Sequence, residues 1–154
     1  MKYHYTTGLS LPLILADEVI RPTELHLVRG ERGVAWFTTR ETFEPTAIPV
    51  FAAFVKEKKF LPLPKVAVVA HGLYRFGVRD DHPQLHPWLK ICRLARTPNK
   101  FRVALERVAR EEGGNPYTYW GSLTPISVYE CTLEESSDGI SWQGALSKAA
   151  SAGE

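Results

Sequence analysis

Cysteine, excess charge and long apolar runs are all scarce in this chain of 154 residues. Its two cysteines, Cys92 and Cys131, show no C-x-x-C spacing and no histidine close by in sequence. The spacing asks for neither a zinc site nor a disulfide, and two buried free thiols in a reducing cytoplasm are expected. The longest apolar run, residues 48–55, is eight long, against the roughly 20 residues that cross a bilayer. The opening Met1-Lys2-Tyr3-His4-Tyr5-Thr6 is polar, and residues 9–16 contain Pro12 and run straight into Asp17 and Glu18. No secretory signal is expected, so the location should be cytoplasmic, with no membrane partner. The 19 Lys and Arg against 17 Asp and Glu leave a formal charge of +2. That balance excludes a coat of cations over the whole surface, as a dedicated nucleic-acid coat would need. There is no internal repeat, no low-complexity tract and no linker-like stretch. The sequence also lacks a Walker loop, G-x-G-x-x-G, G-x-S-x-G and H-E-x-x-H, which removes the common nucleotide, hydrolase and metalloprotease templates.

What is present is ordinary globular material. Apolar residues make up 44% and charged residues 23%, as in soluble domains. The length suits one domain, expected over residues 1–144, with 145–154 as a frayed tail. Lys2 to Thr6 is aromatic and β-branched and reads as a strand. Ser10 can cap a short helix with Leu11, Ile14 and Leu15 on one face, ended near Ile20-Arg21-Pro22. Residues 24–28 read as a weak strand and 34–38 as a stronger one. Residues 41–54, broken by Pro45 and Pro49, should be irregular with one helical turn at most. Residues 66–70 and 73–78 read as two strands joined at His71-Gly72 or as one bent strand, and 88–94 as helical.

The clearest helix follows. Thr97 can cap it, Pro98 suits the first turn, and Phe101, Ala104, Leu105 and Val108 line one face. Gly113-Gly114 stops it. Residues 117–120 and 126–133 read as strands, and Asp138-Gly139 as a hairpin turn leading to Ile140-Ser141-Trp142. The sum is an α+β single compact domain. Its sheet is split, mixed or antiparallel, with about seven short strands and two or three helices.

Three clusters carry chemistry. His82 and His86 stand four apart, a spacing that on a helix places two ligands on one face. Pro83 and Pro87 argue against a helix there, so a solvated loop and no metal site are expected. Residues 89–110 hold Lys90, Arg93, Arg96, Lys100, Arg102, Arg107 and Arg110 against Glu106 alone. Arg93, Arg96, Lys100, Arg102 and Arg107 are the candidate nucleic-acid contacts; a solvated helix face with i,i+4 pairs such as Arg102–Glu106 is the alternative. Finally, His4 and Thr6 lie two apart on a strand and so face the same side. A neutral imidazole that donates and accepts, beside a hydroxyl, suits ribose hydroxyls or an amide.

The order of pieces at the start is Tyr3-His4-Tyr5-Thr6-Thr7, a short helix, Val19-Ile20-Arg21-Pro22, then Val34-Ala35-Trp36-Phe37-Thr38. Over roughly the first forty residues it resembles the ADP-ribosyltransferase-like superfamily. The likeness is to its small bacterial and phage branches: DNA-modifying toxin-type enzymes and RNA 2′-phosphotransferases. The resemblance implies that fold, NAD as substrate, a transferase activity, a toxin or phage- or defence-associated role, and a nucleic-acid or protein acceptor. It implies that His4 and Thr6 hold the ribose or carboxamide, that Trp36, Phe37 and Thr38 line the pocket, and that Arg75 clamps the pyrophosphate. Such transferases usually place a catalytic glutamate at the start of a late strand. Residues 115–122 contain no acid here. Glu130 and Tyr117 are then the candidate catalytic residues, with Tyr119 or Ser122 as stand-ins. Two other readings stay open: a non-catalytic nucleotide-binding protein, a sensor or sponge on the same scaffold, and an α+β protein-interaction module whose histidine and tryptophans are core.

Overall fold

In the computed structural model residues 1–24, 27–47 and 71–145 are described. Strand β1 (Lys2–Thr7) is buried along almost its whole length. Its aromatic and threonine side chains suit a pleated strand covered on both sides. It pairs antiparallel with β3 (Ala35–Thr38) and β4 (Leu73–Val78). β3 pairs with β6 (Tyr119–Ser122), which pairs with β5 (His86–Pro87); β4 pairs with β8 (Thr132–Ser136), and β8 with β9 (Gln143–Gly144). The order is β5-β6-β3-β1-β4-β8-β9, and every pairing described is antiparallel. A separate two-stranded sheet joins β2 (Val19–Ile20) to β7 (Ile126–Ser127).

Register decides which residues share a face. Tyr3 faces Thr38 on β3 and Gly77 on β4, while Tyr5 faces Arg75 and His4 faces Phe76. One side of the sheet therefore carries His4, Thr6, Phe37 and Phe76; the other carries Tyr3, Tyr5, Trp36, Thr38 and Arg75. The first side packs against Ile20 and Ile126 of the small sheet and against Leu11 and Ile14 of helix α1 (Leu11–Asp17). Pro12 sits in the first turn of α1, where a missing N–H costs nothing. The helix stops at Glu18, which takes a left-handed φ of 58° and turns the chain into β2.

The second side is covered by helix α2 (Trp88–Leu94), which buries Trp88, Ile91 and Cys92. Gly121 permits this approach. A Cβ there would stand 2.4 Å from Val34 Cγ1 and 2.9 Å from Ile91 Cγ1.

Helix α3 (Asn99–Glu111) follows. Thr97 does not cap it; its hydroxyl donates to Glu31 Oε1 at 2.9 Å, and Pro98 occupies the cap position. Gly113 ends the helix region with a φ of 86°. The stripe Phe101, Leu105 and Val108 is not core: all three are 40–48% exposed, and Ala109 is the buried residue of the helix. α3 docks through its polar flank, where Trp88 Nε1 donates to Glu106 Oε1 at 2.7 Å and Arg102 pairs with the same carboxylate.

The coarse α+β expectation holds, with three helices and nine strands among the described residues. Residues 126–133 do not form one strand. A 3-10 turn at Val128–Glu130 divides them, because Ser127 Oγ accepts from Tyr129 N and Glu18 O accepts from Val128 N. Likewise a 3-10 turn at Pro116–Thr118 precedes β6, capped by Asn115, whose side chain accepts from Tyr117 N. Glu24, Leu27 and Val28 are not in a strand, and the last strand is at Gln143–Gly144 rather than 140–142. The expected strand at 66–70, residues 48–54 of the irregular segment, and the tail beyond 145 lie outside the described residues.

Candidate functional site

A groove of about 220 Å³ opens between β1, α1 and β2. β1 contributes His4. Ser10 stands at the start of α1, Ile14 and Asp17 face in from the helix, and Ile20 and Arg21 close the far wall. The sequence builds this corner locally: Glu18 in its left-handed turn folds β2 back against α1, so the helix and the strand after it form two walls over β1. The Glu18 turn is held from outside, since Glu18 O accepts from Val128 N and Glu18 Oε1 accepts from Tyr129 OH at 2.6 Å.

His4 is the chemical centre of the groove. Its Nδ1 lies 2.9 Å from Trp36 O. A carbonyl only accepts, so Nδ1 carries the proton and Nε2 presents a lone pair. Burial lowers the imidazole pKa, against a smaller opposing effect of the Trp36 carbonyl, so the ring is neutral at pH 7. The Phe37 ring, 5.6 Å from His4 between centroids, fixes the imidazole from the side. Ser10 makes no capping bond with its side chain, which leaves the hydroxyl to the groove. Arg21 Nε donates to Asp17 Oδ2 at 2.7 Å. The groove thus offers an acceptor nitrogen, a hydroxyl, a carboxylate and a guanidinium above apolar walls.

The residues expected to form one pocket divide between the two sides of the sheet. His4, Thr6 and Phe37 share the groove side, with His4 in the wall; Thr6 is buried. Trp36, Thr38 and Arg75 lie on the opposite side by strand parity. Their contacts agree. Trp36 packs on Trp88, with centroids 5.6 Å apart, and Thr38 donates to Glu44 Oε2 at 3.2 Å. Arg75 is caged: Nε pairs with Glu134 Oε2 at 2.6 Å, Nη1 donates to Glu41 O, and its guanidinium lies 4.0 Å from the Tyr3 ring and 4.4 Å from the Trp142 ring. It is buried and holds the sheet to the β8–β9 hairpin instead of facing a phosphate. No family model, curated protein or solved structure matches the chain.

The candidate catalytic residues stand away from the groove. Glu130 is 56% exposed in the turn before β8, and Tyr117 is exposed in the turn before β6. Ser122 is buried and donates to Thr124 O at 2.7 Å. Tyr119 lies on the Trp36 side, where burial, joined by the Glu44 carboxylate and opposed by the Thr46 hydroxyl, pushes its phenol to about 12. An acid does sit beside the start of β6, but it comes from elsewhere in the chain. Glu44 is buried and accepts from Thr38 Oγ1, from Thr46 Oγ1 at 2.9 Å and from Tyr119 OH at 3.3 Å. Gly114 closes over it, since a Cβ there would come within 2.2 Å of Tyr119 OH and 3.0 Å of Glu44 Oε1. This enclosed cluster joins the segment after β3 to β6.

Sequence reasoning missed Asp17 and Arg21 as groove residues. Their i,i+4 spacing was the available signal. Glu44 had none, because its partners beyond the neighbouring Thr46 are 6 and 75 positions away.

His82 and His86 do not share a helix: His82 is in the β4–β5 loop and His86 is in β5. Among the described residues no group of three metal-ligating side chains occurs. His82 is buried and its Nδ1 accepts from Gln84 N at 3.4 Å, so the proton is on Nε2, 3.6 Å from Glu130 Oε2. Of the basic residues, Arg93, Arg96, Lys100 and Arg107 are exposed, whereas Arg102 is folded onto Glu106 and Asn99.

Proposed function

We propose that the chain is a nucleotide-binding protein of the ADP-ribosyltransferase-like kind, taking the ribose-bearing half of NAD or a related nucleotide in the His4 groove. The observation that carries the reading is His4, which lines an open groove while the bond of its Nδ1 to Trp36 O fixes its tautomer and leaves Nε2 as an acceptor. A lone pair of that kind accepts from a ribose hydroxyl. Asp17 accepts from a second hydroxyl, Arg21 reaches a phosphate oxygen, and Leu13, Ile14 and Ile20 supply apolar surface for a base. The groove is smaller than the roughly 300–1,000 Å³ of a site that encloses a drug-sized ligand. It therefore receives part of a dinucleotide and leaves the rest on the surface.

Binding is the function proposed. Turnover of NAD breaks the nicotinamide–ribose bond and builds positive charge on the ribose, which calls for a preorganised anion. Among the described residues the groove's carboxylate is Asp17, already engaged by Arg21. The sensor or sponge reading is thus preferred to the transferase reading, and nicotinamide release is the measurement that reverses the preference.

The test is a thermal melt with NAD, ADP-ribose and inorganic phosphate as separate ligands. NAD or ADP-ribose should raise the melting temperature, by the equivalent of about 2.7 kcal/mol at a hundredfold excess over Kd. His4→Phe should remove the rise. A rise that survives His4→Phe unchanged, or none with either nucleotide, overturns the proposal.

A further inference from the structure

Helix α3 wears its apolar stripe outward. Phe101, Leu105 and Val108 recur at i, i+4 and i+7, the pattern of a face made for burial. Here they are 40%, 48% and 42% exposed, because the helix docks through Ala109, Arg102 and Glu106. Lys100, Arg107 and Arg110 are exposed on the same helix. The Lys100 ammonium lies 5.2 Å from the Phe101 ring, at the border of the apolar stripe. Among the described residues Glu111 pairs with Arg107, at 3.9 Å. The preceding α2 exposes Leu89 and Leu94 beside Lys90 and Arg93, and it has no acid in its sequence Trp-Leu-Lys-Ile-Cys-Arg-Leu.

We infer that α3 is a docking surface for an anionic lipid bilayer, lying in the headgroup plane with Phe101, Leu105 and Val108 inserted and the lysine and arginines on the headgroups. The occupant follows from charge and apolarity together. A helix with one apolar face, a cationic flank and low overall hydrophobicity binds in the interface plane. It needs no spanning segment: α3, about 20 Å long by its residue count, lies flat. A second copy of this chain would bring the same cations against each other. Nucleic acid would satisfy the cations through its phosphates, but base contacts call for aromatic platforms and polar readers. It would leave leucine and valine side chains in water. Lipid satisfies both sets. The expectation of no membrane partner, drawn from the lack of a spanning run, does not bear on such peripheral contact.

Co-sedimentation with vesicles tests this. The full chain is mixed with phosphatidylcholine vesicles alone, and with phosphatidylcholine containing phosphatidylglycerol. Binding should appear with the anionic vesicles and be absent with the neutral ones. Lys100→Gln/Arg107→Gln should weaken it about thirtyfold, the equivalent of about 1 kcal/mol for each cation near the surface. Leu105→Gln should weaken it several-fold. All three positions are exposed, so unchanged melting temperatures confirm that the variants fold. Equal binding to both vesicle types, or none, overturns the inference. So does anionic binding indifferent to Leu105→Gln; if duplex DNA displaces the protein in that case, the surface belongs to nucleic acid.

Discussion

His4 shows how one backbone contact assigns a side chain its chemistry. With Nδ1–H committed to Trp36 O, the ring meets a ligand only as an acceptor, and burial holds it neutral. That has a stability consequence with a definite sign. A histidine whose pKa is lowered by folding binds fewer protons folded than unfolded, so its contribution is whole above the ordinary value near 6.5 and is lost as the pH falls below it. His86 is shifted the same way, by burial and then by Lys90. The melting temperature should therefore fall between about pH 7 and pH 5, above the range where Asp138, held to about 2 by the Ser141 and Ile140 amides, loses its charge. His4→Asn keeps a donor for Trp36 O but does not titrate. It should flatten that fall, leaving the slope of His86. Melts at half-unit pH steps check it, and parallel curves for the two proteins count against a His4 imidazole held neutral by folding.

At the scale of elements, α3 is fastened among the described residues by a few polar contacts rather than by an apolar seam. Trp88 Nε1–H to Glu106 is the central one, and it is also the main reason that the Glu106 carboxyl stays below its usual range. Trp88→Phe keeps an aromatic side chain against Trp36 and Tyr119 but removes that donor. A hydrogen bond to a charged group contributes about 1.5–3 kcal/mol. The variant should lose about that much, with amide exchange in Asn99–Glu111 rising more than in β1 or β4.

The elements also show what could be read in advance. β1, β3, β4, α1, α2 and α3 stand close to where propensity and turn residues put them, because each is decided by neighbours along the chain. The apolar pattern of α3 predicted which residues are alike, but not which side faces in. That was decided by Trp88 and Glu106, 18 positions apart. His4 was singled out by its strand and the motif order, and it does line a groove. Trp36 and Arg75 were misplaced because adjacent strand positions face opposite ways, and their pairing with β1 depends on a register set across the sheet. Asp17 and Arg21 enter the site only because Glu18 bends the chain.

For the molecule as a whole, the strand order doubles as a timetable. The earliest strand in the sequence is the middle of the seven-stranded sheet; outward from it lie β4, β8 and β9 in chain order on one flank and β3, β6 and β5 on the other, where the short β5, made before β6, must wait for it. Lys2 must wait for Val78 before its second ladder can close, so much of the sheet assembles through distant pairings that make folding slow. A nucleus of β1, β3 and β4 is the natural first step. Phe76→Leu on β4, buried in that nucleus, should mainly slow refolding. Trp142→Phe, beside the outermost strand and donating to Thr42 O, should mainly speed unfolding. Chevron plots separate the two, and equal effects on the same arm refute the ordering. Seen this way, the hexapeptide Lys2–Thr7 is the template on which the rest of the sheet is laid, and a growing chain carries that template unpaired until β3 and β4 have been made.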